Sequence, residues 1–210
     1  TTIQKFHDRS DVPQIAQAMV ATLGLGVGVD KGKVRPDAAA MDSTGLSAST
    51  ASEYFRTRKG DRCRQWIKLS VMIWCTTQLP LAISVDAGPS NDRKQVRTLL
   101  DQAQEVGRPS KLFADAGYDA EWIHQECREK WKVESLIAAK ICRADGSKGG
   151  HWRSKMSPYY LKNRGYGKRW SVETFFSGLK RKVGSTLNSR KTPNQVGEAA
   201  WKLLAYAIFR

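Results

Sequence analysis

The sequence predicts an α/β fold: a mixed five-stranded sheet flanked by helices on both faces. Three observations lead there. Three short apolar runs follow one another before residue 86. Beyond them, a stretch of helical period alternates twice with further short apolar runs, and two helical stretches close the chain after a basic, Gly-rich segment. Consecutive strands pair with one another, whereas strand–helix–strand units lay strands parallel and spread their helices over the faces.

Each element has a local reason. Asp11 is a suitable N-cap for a helix over 11–23, where Ile15, Met19 and Leu23 recur on one face. Gly24, Gly26 and Gly28 end it, and 31–36 reads as a basic linker, so residues 1–36 are expected to precede a main domain of 37–210. Ala38 to Met41 reads as a short buried strand ending at Asp42-Ser43-Thr44-Gly45. Residues 51–65 read as a basic loop. Trp66 to Leu79 is rich in β-formers, and Pro80 separates it from a second strand over Leu81–Val85, giving a hairpin. Ser90-Asn91-Asp92 caps a helix to about Val106, with Val96, Leu99, Leu100 and Ala103 as its stripe. Lys111 to Ala114 is a strand ending at Asp115-Ala116-Gly117-Tyr118-Asp119. A helix over about 120–130 and a strand over 133–138 follow. Residues 140–168 show no period and read as a loop. Helices are expected over about 168–183 and, after Pro193, over 195–209.

The charge balance narrows the partners. Lys and Arg number 35 against 20 Asp and Glu, a formal net charge of +15 and a pI near 9.9. Such a field draws polyanions, nucleic acid first and an anionic membrane surface second. Hydrophobic residues make up 40% of the chain, enough for a core. No apolar run reaches the roughly 20 residues that span a bilayer, and Thr1-Thr2-Ile3-Gln4-Lys5 does not resemble a signal peptide. The missing initiator Met is what a processed or shortened chain would show. Cys63, Cys75, Cys127 and Cys142 form no C-x-x-C, and the H-x-x-C of His124 and Cys127 stands alone. All four read as reduced thiols of a cytoplasmic protein.

Two carboxylates, Asp42 and Asp115, are expected where short strands end, the edge at which open α/β sheets gather ligand chemistry. Two such groups on adjacent strands repel unless cations neutralise them, and hard oxygen donors suit Mg²⁺ or Mn²⁺. Either Asp alone is more often a turn or cap residue. On the helix near 168–183, Arg169, Glu173 and Lys180 fall on one side, beside an apolar stripe of Val172, Phe176, Leu179 and Val183. Spacing alone favours a solvated i,i+4 Arg–Glu pair there.

Together these residues resemble a known signature. Tyr166, Arg169, Glu173 and Lys180 match Y-x2-R-x3-E-x6-K at all four positions. The pattern resembles that of bacterial insertion-sequence transposases of the DDE class, the branch named for insertion sequence four. Asp42 in Met41-Asp42-Ser43-Thr44 looks like the first catalytic Asp of that family. Asp115 in Ala114-Asp115-Ala116-Gly117-Tyr118 looks like the second, and Gly88-Pro89-Ser90-Asn91-Asp92 is similar to the turn before its first core helix. The resemblance covers about residues 38–182. It implies an RNase H-like fold of the retroviral integrase superfamily, with the two Asp on neighbouring strands and Glu173 brought in by a helix. The short span from Asp115 to Glu173 leaves out the large β insertion of some relatives. No N-terminal helix-turn-helix is evident, so specific end recognition is expected outside this chain.

The implied activity is metal-dependent cleavage and transfer of DNA strands. Asp42, Asp115 and Glu173 would be catalytic and would ligate two Mg²⁺ ions per site, with Mn²⁺ substituting. Tyr166, Arg169 and Lys180 would contact DNA. Arg58, Lys59, Arg62 and Arg64, within the basic run from Arg56 to Arg64, and the segment from Lys148 to Lys168 are further backbone-contact candidates. The expected partner is double-stranded DNA, element ends and target alike, engaged by a homodimer or larger assembly in the bacterial cytoplasm, without a membrane. A nuclease that cuts without joining, a catalytically silent DNA-binding protein and a basic ribosome-associated protein are the competing readings. The last leaves the Y-R-E-K spacing unexplained. Trp122 and Trp170 can stack on an unpaired base, although a buried Trp is the commoner outcome.

Overall fold

A computed structural model of the chain describes residues 11–25, 37–48, 66–88, 90–140 and 149–209. The basic positions Arg58, Lys59, Arg62 and Arg64 lie outside the described residues, as do Cys63 and Cys142. The elements are helix α1 (Val12–Leu25), strands β1 (Ala39–Ser47), β2 (Trp66–Trp74) and β3 (Pro80–Ala87), and a 3₁₀ turn (Asp92–Gln95) running into α2 (Val96–Val106). Strand β4 (Lys111–Ala114), a 3₁₀ turn (Ala116–Tyr118), α3 (Glu121–Gln125) with a π-helical continuation (Glu126–Lys130), and β5 (Glu134–Ile137) follow. The last part holds a 3₁₀ turn (Arg153–Lys155), α4 (Pro158–Asn163), a 3₁₀ turn (Tyr166–Arg169), α5 (Trp170–Val183) and α6 (Thr192–Ile208).

The five strands lie in the order β3-β2-β1-β4-β5. β1 to β3 form an antiparallel meander, and β4 and β5 are parallel to β1. This is the RNase H-like arrangement, in which β2 alone runs against the rest. The predicted mixed sheet and its hairpin are present.

Alternate residues along each strand supply two separate cores, as a side-chain period of two requires. On one face Ala40, Leu46, Leu69, Val71 and Phe113 pack with Phe175 and Leu179 of α5 and Leu203 of α6. On the other, Met41, Met72, Trp74 and Leu112 pack with Leu99 and Ala103 of α2 and Ile123 of α3. Ala16 and Val20 of α1 are buried in the first core. No helix among the described residues is long and apolar enough to cross a membrane.

Three expectations are corrected. Asp42 lies inside β1 rather than at its end, because pairing with β2 continues through Ser47. Ladder hydrogen bonds to a well-formed neighbour outweigh the weak strand preference of Asp42, Ser43 and Gly45. The strand from Trp66 stops at Trp74, where a turn closes with Gln78 N–H donating to the Trp74 carbonyl (2.8 Å). Residues 149–168 are not a continuous loop. Ser157 caps α4 by accepting from Tyr160 N–H (3.1 Å), with Pro158 at the first turn, a start signal legible in the sequence. The segment before α4 is strapped to α3: both oxygens of Glu121 accept from Trp152 and Arg153 N–H, and Arg153 pairs with Asp119 at 2.7 Å.

Gly45, opposite Lys68 in the β1–β2 ladder, lets the Trp66 ring lie against the backbone of β1, where a Cβ would collide with it. Gly45→Ala is therefore expected to destabilise the domain by about 1–3 kcal/mol, measured by urea unfolding.

Candidate active site

The site grows from the parallel pairing of β1 and β4. Their register runs Ala39–Leu112, Ala40–Phe113, Met41–Ala114. One residue further, Asp42 comes beside Asp115 just where β4 ends. Over these paired residues both strands are fully buried, whereas Asp42 to Gly45 of β1 are half-buried. Asp42 continues the side of Ala40, and Asp115 that of Phe113, so both belong to the face covered by α5.

Each carboxylate is fixed locally. Asp42 Oδ1 accepts from Ser43 N–H at 2.8 Å. Asp115 caps the turn after β4, its Oδ1 accepting from Gly117 N–H at 2.7 Å. A Cβ on Gly117 would sit 2.8 Å from that oxygen and 3.0 Å from Asp92 Oδ2, so only glycine leaves room between these carboxylates. Burial, reinforced by the charges of Asp115 and Asp92, pushes the Asp42 carboxyl up to about 6, against the opposing pull of Ser43 N–H and Arg169.

The helix side delivers Arg169 and Glu173. Arg169 Nη2 pairs with Glu173 Oε1 at 2.6 Å across one helical turn, and Arg169 also lies within the field of Asp42. The guanidinium thus pairs with the helix carboxylate while its charge reaches Asp42. Lys180 is half-buried two turns further along α5, about 10 Å along the axis from Glu173. Tyr166 does not face away from the protein: its hydroxyl donates to the Ala114 carbonyl at 2.8 Å, and its ring packs edge-on against Phe113 at 6.4 Å. It ties the turn before α5 to the strand that carries Asp115. Trp170 is 65% exposed at the start of α5, whereas Trp122 is partly buried beneath Arg97.

Among the described residues, no group of three or more His, Cys, Asp or Glu side chains is gathered closely enough to hold a metal ion. The structure brings Asp42 and Asp115 together and holds Glu173 apart on Arg169. The donor set of the pair still suits a hard divalent cation. It offers carboxylate oxygens, and one of the two groups resists ionising because it is buried and, secondarily, because its neighbours are negative.

The transposase DDE domain family matches residues 34–208, most of the chain. The chain belongs to this family. No curated protein matches its sequence. Among solved structures, a chain from the cryoEM structure of the simian T-cell lymphotropic virus intasome in complex with PP2A regulatory subunit B56 gamma is similar, with 14% identity and a TM-score of 0.40 over 82% of this chain. This chain spans about half the length of that one, with 50% of it covered.

The DDE domain holds site residues that sequence reasoning passed over. Lys68 is only 3% exposed, and its Nζ pairs with Asp92 Oδ1 at 2.6 Å and donates to the Ser90 carbonyl at 2.7 Å. Ser43 Oγ donates to the same Asp92 oxygen at 2.6 Å. Tyr118 is fully buried, and its hydroxyl lies near Ser43 without a hydrogen bond of ordinary geometry. Burial and the charges of Asp42, Asp92 and Asp115 raise the Tyr118 hydroxyl well above its usual range. The signal for Lys68 was present: one cation in the otherwise apolar run Trp66-Ile67-Lys68-Leu69. Asp92 read as a helix-cap neighbour and Tyr118 as motif context only.

A pH dependence follows for the metal-free DDE domain. Asp42 binds its proton more tightly folded than unfolded, so it contributes stability when protonated. That contribution is complete below about 3.8 and is lost as pH rises through about 6. In EDTA, Asp42→Asn should gain on the parent by roughly 1–2 kcal/mol between acid and neutral pH, after allowance for solvent screening. Unfolding titrations of both proteins at each pH measure this, and parallel pH profiles would remove the strained-carboxylate account.

Proposed function

We propose that this chain is the catalytic domain of an insertion-sequence transposase that cuts and rejoins DNA strands by metal-dependent phosphodiester hydrolysis and transesterification. The observation that carries this reading is the placement of Asp42 beside Asp115 on the face covered by α5, the helix that carries Glu173 and follows the turn bearing Arg169. Membership of the DDE family supports it, and the Tyr166-Arg169-Glu173-Lys180 spacing supports the insertion-sequence-four-like branch.

Asp42, Asp115 and Glu173 would hold divalent metal, Mg²⁺ or Mn²⁺. When bound, the metal supplies Lewis acidity that activates the attacking hydroxyl and stabilises the leaving 3′-oxygen. The chain's own residues do the rest. Arg169 keeps Glu173 in reserve through their ion pair, and a DNA phosphate competing for the guanidinium would free that carboxylate. Lys180 presents a point charge to the backbone on the same helix. Tyr166 holds the Ala114 carbonyl, and so the end of β4, against the start of α5. Trp170 offers an exposed aromatic face beside Arg169. The excess of 35 basic over 20 acidic residues draws double-stranded DNA to the site. Action on paired ends calls for a dimer or larger assembly.

Purified protein incubated with Mg²⁺ and DNA bearing the element ends should nick them and transfer the 3′-hydroxyl ends to a target. Asp115→Asn and Glu173→Gln are each expected to lower cleavage by about a thousandfold or more. Cleavage by either variant at the parental rate, or cleavage that persists in EDTA, would exclude this reading. DNA affinity should fall steeply and log-linearly with salt, checked by fluorescence anisotropy. A flat response would remove DNA as the partner.

A further inference from the structure

Behind the two catalytic carboxylates, on the opposite face of the sheet, a buried lysine pairs with a half-buried aspartate, and the reaction as described does not use this pair. Lys68 alternates with Ile67 and Leu69, which face α5, and so projects toward α2 on the same side as Met72. There it pairs with Asp92 at the start of the 3₁₀ turn leading into α2. Asp92 touches both carboxylate-bearing segments. Its Oδ1 accepts from Ser43, the residue after Asp42, and its Oδ2 lies beside Gly117, whose N–H holds Asp115. Burial raises the Asp92 carboxyl, but the bonds and charge from Lys68 and Ser43 outweigh this and hold it below the usual range.

A buried cation 3% exposed is costly unless it serves a paired charge. Here the pair fastens β2, the first residues after Asp42, and the turn before α2 into one unit. It also sets the local charge. Asp92 adds a third negative group next to Asp42 and Asp115, and Lys68 offsets it.

We propose that Lys68 and Asp92 are paired positioning residues that set the divalent-metal affinity of the Asp42–Asp115 pair from behind the sheet. This rests on the metal-dependent reading above. Removing Asp92 alone leaves an uncompensated ammonium behind the site, which repels a metal ion. Removing Lys68 alone leaves an extra carboxylate, which attracts one. Removing both restores the parental balance.

The experiment is calorimetric titration of Mn²⁺ into the full chain, its variants and, as reference, Asp115→Asn. Asp92→Asn should weaken Mn²⁺ binding about tenfold, Lys68→Met should tighten it, and the double variant should return to within about threefold of the parent, in the range of supporting-residue effects on metal sites. A pair that merely fastens the fold would shift both single variants the same way, and that result overturns the proposal. So does a double variant that binds no better than Asp92→Asn, a comparison that survives if Lys68→Met alone fails to fold. If the parent binds no Mn²⁺, or binds it as well after Asp115→Asn, the metal-dependent reading fails and this inference fails with it. If the parent binds and Asp115→Asn does not, only the sign pattern decides.

Discussion

The repulsion between Asp42 and Asp115 is the constraint around which the rest of the site is built. Three paired residues of β1 and β4 bring these carboxylates side by side, and the buried strands that hold them cannot relax apart without opening both cores. Each neighbouring feature answers that charge. Backbone N–H groups of Ser43 and Gly117 bind one oxygen of each carboxylate. Arg169 approaches Asp42 from the helix side, and Lys68 offsets Asp92 from behind the sheet. Proteins place like charges together mainly where the strain is put to use, and a cation or a protonated intermediate is the usual use.

The helix side is arranged differently. Glu173 is engaged with Arg169 instead of being directed at the two Asp. In this state the domain has two carboxylates in place and a third within an ion pair one helical turn from the guanidinium that holds it. Under the proposed function, a phosphate backbone would compete for that guanidinium and so couple substrate binding to the release of Glu173. Tyr166 anchors the arrangement by a hydrogen bond to the carbonyl immediately before Asp115, which ties the helix entrance to the strand end.

Much of this was legible in the chain. The order of the elements, the hairpin at Pro80, the Asn91 cap and the short strand 111–114 follow from period, turn residues and caps, all of which act within a few residues. Asp42 was expected at a strand end, because the Ser, Thr and Gly after it are poor strand formers; the cross-strand ladder with β2 carries the strand past it. The 149–168 segment looked shapeless because its order comes from Glu121 of α3 and Asp119 just before it, about thirty residues away in sequence.

What the sequence determined by itself was the inventory and its local setting: two strand-associated Asp residues, an Arg-Glu-Lys row on one helix, a strongly basic chain and a family signature. Only the tertiary structure decided which of these meet. It set Asp42 against Asp115 through strand register, held Glu173 on Arg169, turned Tyr166 inward to Ala114, and paired the buried Lys68 with Asp92 behind the site. The physical reason is range. Helical period and capping act over one or two turns, whereas a carboxylate's charge state and partners depend on whichever distant segments the packed sheet brings within a few ångströms, where burial strengthens every charge.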